Sequence, residues 1–163
     1  MKSHKPSNQI GGYWDDCKKA RKEIQKMDLQ KAHDYEEFFE GRISSTLERL
    51  KFSDKFVEQK SYKGMITRVS LFGFNHKPDM TIGSDGIAFE VKRVWGAKPL
   101  KEAFAQALFY RTHYRFVIIV LVDKTAKGQV FDLINTEGST EAALIKDFEE
   151  MNIFTVCKLG GGT

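Results

Sequence analysis

Cysteine is scarce in this chain of 163 residues: there are two, Cys17 and Cys157, near opposite ends. Neither belongs to a C-x-x-C pair, so a zinc site built from closely spaced thiolates is not encoded. The expectation is two free thiols in a reducing compartment. Long apolar runs are missing as well. The longest, residues 116–122, has the length of a strand, and nothing approaches the ~18 residues a membrane span needs. The polar, charged N-terminus lacks the apolar region of a secretory signal, which makes a cytoplasmic location the expectation. There is no G-x-x-x-x-G-K-[ST] loop and no G-x-S-x-G elbow, so neither a nucleotide motor nor serine-hydrolase chemistry is indicated.

What is present suffices for one core. Hydrophobic residues make up 41% of the chain, which argues against wholesale disorder, and the length suits one domain. The net charge is +4 and unevenly spread. Residues 1–34 hold 8 Lys/Arg and 5 Asp/Glu, whereas residues 35–163 hold 18 and 17. The basic excess lies in the N-terminal segment. It is compatible with a polyanionic partner, since each phosphate contact releases counterions, although a basic helix is also an ordinary solvated face.

Residues 1–12 read as a polar tail and 13–32 as a Lys/Glu-rich helix with a thin apolar stripe, together a basic N-terminal unit (1–33). Residues 34–51 read as a stronger helix. Asp34 with Glu37 gives a capping-box pattern, and Ile43, Leu47 and Leu50 mark the buried face. From Asp54 to Val94 the period changes to two. Strands are expected at 56–57, 65–74, 76–82 and 87–94, with a turn at 83–86. Pro99 suits the first turn of a helix reaching about His113. Residues 114–122 read as a strand buried on both faces. A short strand at 129–134, a helix at 139–151 and a terminal strand at 153–159 complete the chain. A right-handed crossover makes the 114–122 strand parallel to the 87–94 strand. The fold expected is α/β, a mixed sheet flanked by helices.

The chemistry concentrates at Pro78-Asp79 and, ten residues on, Glu90-Val91-Lys92. Along a strand, Ile87, Phe89 and Val91 share one face, and Ala88, Glu90 and Lys92 the other. The turn at 83–86 lets the preceding strand pair antiparallel and carry Asp79 beside Glu90. Two carboxylates suit magnesium, a hard cation that keeps several waters, with the Val91 carbonyl as a third ligand. Such a metal polarises a phosphate and acidifies water, and Lys92 can orient or deprotonate that water. An isolated E-x-K is commonly a charged exposed face; the partner Asp79 across a hairpin distinguishes this one. His76 and Lys77 directly precede the motif and are expected either to touch a phosphate or, the preferred reading, to be turn residues. Trp95 is expected either to stack on a base or to pack on the crossover helix.

These residues resemble the PD-(D/E)xK nuclease superfamily, in Pro78-Asp79 followed by Glu90-Val91-Lys92. Gln106 and Tyr110, one turn apart on the crossover helix, are similar to the Q-x-x-x-Y motif of the RecB-like branch, beside the plainer reading of a packing face formed with Ala103 and Ala107. The resemblance covers about residues 34–122. It implies a restriction-endonuclease-like fold with an αβββαβ core, in a nuclease-like domain spanning 34–163. It also implies a Mg²⁺- or Mn²⁺-dependent deoxyribonuclease with Asp79, Glu90 and Lys92 catalytic. Asp79, Glu90, Val91 and an acidic residue of the first core helix, Glu40 or alternatively Glu36, would hold the metal. Gln106 and Tyr110 would position substrate. The implied partner is DNA, with a homodimer as an option and no membrane. The alternative is a catalytically silent nucleic-acid-binding module or a subunit of a larger nuclease assembly.

Overall fold

The structure, a computed structural model, describes residues 13–30, 36–50, 57–59 and 66–161. The tail at 1–12, the cap at Asp34, the side chains of Glu36 and Glu37, and the strand starts at Phe56 and Met65 lie outside the described residues.

Helix α1 (Trp14–Lys26) ends six residues earlier than its charge pattern suggests. The chain turns extended at Met27, and the Asp28 side chain accepts a hydrogen bond from the Gln30 amide at 2.9 Å. Such an Asx turn offers the backbone an alternative to further helix. The thin apolar stripe is fully used. Cys17, Ala20 and Ile24 are buried, and the Trp14 ring sits 5.7 Å from both Phe116 and Phe154. Helix α2 (Glu36–Glu48) buries Phe39, Ile43 and Leu47, which recur at helical spacing.

Five strands form the main sheet in the order β1 (Val57–Gln59), β4 (Met80–Ile82), β5 (Ile87–Val94), β6 (Phe116–Asp123), β7 (Ile153–Leu159). β1, β4 and β5 pair antiparallel, whereas β5, β6 and β7 run parallel, so the sheet is mixed. All eight residues of β6 are buried, as its unbroken apolar run requires. One face, with Ile87, Phe89 and Val91, packs under α1 and α2. The other, with Ala88 and Val94, packs under α3 (Ala97–Arg111), α4 (Gln129–Asn135) and α5 (Thr140–Glu150). The fold is therefore α/β with a mixed sheet between helical layers. Among the described residues, no helix is long and apolar enough to cross a membrane.

Further elements differ from the sequence expectation. The strand expected at 65–74 is instead a separate hairpin, β2 (Val69–Leu71) and β3 (Phe74–His76), turning at Phe72-Gly73. The strand expected at 76–82 is shortened in consequence, and Pro78-Asp79 lies in the link between β3 and β4. Residues 129–134, expected as a strand, form α4. Val130, Phe131 and Ile134 satisfy helical as well as strand spacing, and short apolar runs do not discriminate. A distant residue decides the matter. Buried Asp123, at the end of β6, accepts from Thr125 N, Thr125 Oγ1 and Phe131 N at 2.6–2.8 Å, capping the first turn of α4. Asp123→Ala is expected to destabilise the protein by about 2–4 kcal/mol, since a cap and charge-assisted bonds to buried amides are lost together. A urea-unfolding midpoint unchanged by the substitution would contradict that account.

Candidate active site

Asp79 is positioned by the edge of β5. Its amide donates at 3.0 Å to the carbonyl of Phe89, the residue that Met80 faces in the β4–β5 register. Its Oδ2 then accepts from the Val91 amide at 2.8 Å. β4 begins only at Met80, so the Asp79 carboxylate serves the Val91 N–H where a backbone carbonyl would otherwise stand. Strand geometry places the Val91 carbonyl on that same edge, beside the Asp79 carboxylate.

Glu90 and Lys92 point from β5 into the opposite layer, under α3, as the alternation requires. The Lys92 ammonium lies 3.3 Å from Glu90 Oε1; the two side chains are 16% and 2% exposed. Ala103 and Ala107 are fully buried, and their small side chains let α3 close onto the sheet. This approach brings two longer α3 side chains onto Glu90. The Gln106 amide, oriented to satisfy its neighbours, donates to Glu90 Oε1 at 2.7 Å and to the Glu102 carbonyl at 3.2 Å. The Tyr110 hydroxyl lies 3.1 Å from Glu90 Oε2 and 3.1 Å from the Lys77 carbonyl. Ala103 and Ala107 are thus the packing members of this α3 face, and their small size lets Gln106 and Tyr110 reach Glu90.

Asp79 and Glu90 are both nearly inaccessible, and Lys92 is the cation bonded to Glu90. Burial, and next the charge of Asp79, push the Glu90 carboxyl up to about 8; Lys92 and the Tyr110 hydrogen bond pull it only part of the way back. Burial and the charge of Glu90 also raise Tyr110 far above the ordinary phenol range, so it remains a hydrogen-bond donor. One hydroxyl proton cannot fully serve both the Lys77 carbonyl and a carboxylate. It is divided between these two acceptors.

The donor set fits a hard divalent cation. It offers two carboxylates and a carbonyl, all oxygen, and magnesium characteristically takes one or two protein carboxylates and fills its shell with water and phosphate. Glu40 is not brought into this group. Helix α2 covers the opposite face of β5, and among the described residues no three His, Cys, Asp or Glu side chains cluster to hold a metal.

Trp95 is exposed rather than packed under α3, with the Arg93 guanidinium 5.0 Å from its ring. His76 ends β3, its ring 4.7 Å from Phe109. The sequence offers Lys77 as a turn residue or a phosphate contact; its backbone carbonyl, which accepts from Tyr110, is not readable from side-chain type. An apolar cleft of about 750 Å³ lies elsewhere, between α3, α4 and α5, and contains neither carboxylate. Cys17 and Cys157 are free and buried, and burial pushes both thiols up to about 12, which leaves them unreactive.

Searches of family models, curated proteins and solved structures returned no match to this chain.

Proposed function

We propose that this protein is a Mg²⁺- or Mn²⁺-dependent nuclease that hydrolyses DNA phosphodiesters, with a PD-(D/E)xK site on a restriction-endonuclease-like fold. The observation that carries this reading is that Asp79 and Glu90 are both buried and near enough for the charge of Asp79 to raise Glu90, with Lys92 bonded to Glu90. Two buried carboxylates near enough for the charge of one to raise the other form an arrangement that a proton or a cation relieves. A packed structural core has little use for it. The element order supports the reading: α2, β1, β4, β5, α3 and β6 follow the αβββαβ sequence, with the β2–β3 hairpin as an insertion.

In this reading Asp79, Glu90 and the Val91 carbonyl hold the metal, which supplies Lewis-acid polarisation of the phosphate and an acidified water. Lys92 orients the attacking water and takes up its proton or offsets charge on the phosphate. Gln106 and Tyr110 fix the Glu90 carboxylate in one rotamer, so no reorganisation is needed when substrate arrives. As positioning residues they act through Glu90. A cytoplasmic setting, a DNA partner and a homodimer remain part of the same proposal.

The test is cleavage of single-stranded, duplex, flap and four-way-junction DNA with Mg²⁺, Mn²⁺ or EDTA, for the wild type and Asp79→Asn. Cutting is expected with metal, and neither in EDTA nor in the variant. Cutting that persists in EDTA, or undiminished in Asp79→Asn, would place the chemistry elsewhere. Metal-independent DNA binding with no cutting on any substrate would make the chain a silent binding module.

A further inference from the structure

The β2–β3 hairpin has features that sheet formation does not explain. Its register, Leu71 opposite Phe74, leaves a two-residue turn at Phe72-Gly73. Both turn residues have positive φ, 54° for Phe72 and 78° for Gly73. Such turns favour Asn-Gly or Gly-Gly, and a bulky residue in the left-handed region is strained. Both phenylalanines are then presented to solvent, Phe72 at 81% and Phe74 at 70% exposure. The tip is open, since even an added Cβ on Gly73 would meet nothing within 4 Å. Strain combined with exposure of two large rings points to use rather than packing.

The hairpin is also tied to the site. Phe72 and His76 both contact the Phe109 ring, at 5.9 and 4.7 Å between centroids. The next residue along α3, Tyr110, binds Glu90 and the Lys77 carbonyl. Asp79 follows Phe74 by five positions, a reach of at most ~18 Å. The charge of the segment suits a polyanion: residues 60–78 contain four Lys/Arg (Lys60, Lys63, Arg68, Lys77) and no Asp or Glu.

Resting on the nuclease reading above, we propose that this hairpin is a stacking platform for unpaired bases, so that the substrate is DNA with a single-stranded segment beside the scissile phosphate. Phe72 and Phe74 offer their faces to bases that are not stacked in a duplex, and Arg68 and Lys77 flank the hairpin in sequence and supply positive charge for the backbone. Stacking on aromatic rings needs no particular base, so the preference is for strandedness rather than sequence. A blunt duplex hides its base faces and gains only the backbone attraction.

The experiment measures binding of the full chain in EDTA, where a metal-dependent enzyme does not cut. The probes are a 2-aminopurine-labelled single strand, its blunt duplex and a duplex with a single-stranded overhang. The proteins are wild type, Phe72→Ala/Phe74→Ala and Phe72→Trp/Phe74→Trp, each checked by circular dichroism. Expected is single-strand and overhang binding at least tenfold tighter than duplex binding, with 2-aminopurine quenching. The alanine pair should lose about tenfold or more on those probes and little on duplex, and the tryptophan pair should retain binding. Unchanged single-strand affinity in the alanine pair overturns the proposal, and so does a loss that is equal on all three probes. A change of oligomeric state in sedimentation with DNA binding unaffected also overturns it, and makes the patch a contact between copies. Ring-dependent binding without any metal-dependent cutting leaves the platform standing and removes the nuclease reading; cutting without ring dependence does the reverse.

Discussion

Lys92→Met should reduce metal-dependent DNA cleavage at least ~10³-fold while leaving the fold and the overall affinity for DNA nearly unchanged. The size follows from the two roles this lysine is positioned to fill: handling a proton contributes ~10²–10⁴-fold, and fixed charge stabilisation in a desolvated site ~10²–10³-fold. It lies 3.3 Å from Glu90 and is mostly shielded from solvent, so bulk cations do not replace it. Methionine keeps most of the stem volume, which separates loss of charge from loss of packing. A second signature comes with it. Without the ammonium, the raised Glu90 carboxyl is held still higher, so metal binding should need a higher pH than in the wild type. Single-turnover cleavage against pH, beside thermal melting, checks both. Activity within tenfold of wild type at every pH would remove Lys92 from the mechanism.

Glu90→Gln should abolish cleavage and yet stabilise the metal-free protein at alkaline pH. The folded-state carboxyl titrates near 8, against 4.5 as its ordinary value. Below about pH 4 the group is protonated in both states and the substitution should change little. Between those values the native protein keeps a proton that the unfolded chain has released. Wild-type stability therefore falls as pH rises through this window, at about 1.4 kcal/mol for each unit separating folded and unfolded values. The total reaches several kcal/mol above pH 8, reduced to the extent that Asp79 and Glu90 share the proton. Glutamine cannot ionise and escapes this loss. Magnesium should restore the wild type and leave the variant unmoved, because a cation bound to the native state shifts unfolding by mass action. Urea unfolding in EDTA and in Mg²⁺, at pH 5 and pH 8.5, reads all of this. Parallel pH profiles for wild type and variant would show that Glu90 is not held protonated.

Local chemistry made much of this architecture readable. The alternation of 87–94 assigns Glu90 and Lys92 to one face without knowledge of any neighbour. The Gly83–Gly86 turn makes the β4–β5 pairing nearly compulsory, and with it the arrival of Asp79. The unbroken apolar run in β6 demands cover on both faces, and β5 and β6 are parallel as a crossover helix between them requires. The hairpin aromatics were less visible. Phe72-Gly73 is a turn only because Leu71 pairs with Phe74, and a lone F-G step signals that weakly.

The sequence by itself determined which groups share a strand or helix face, because those periods are properties of the backbone: Glu90 with Lys92, Gln106 with Tyr110, and the buried stripe of α2. Only the tertiary structure decided what those faces meet. Asp123 turned an ambiguous apolar run into α4 through hydrogen bonds that bridge eight residues. The placement of α2 on the far face of β5 left Glu40 out of the acidic group. The closeness of α3 to the sheet, set by two alanines, put Gln106 and Tyr110 on Glu90. Burial raised the affinity of Glu90 for its proton. Each of these depends on distance and dielectric between segments far apart in the chain, and no local pattern encodes either.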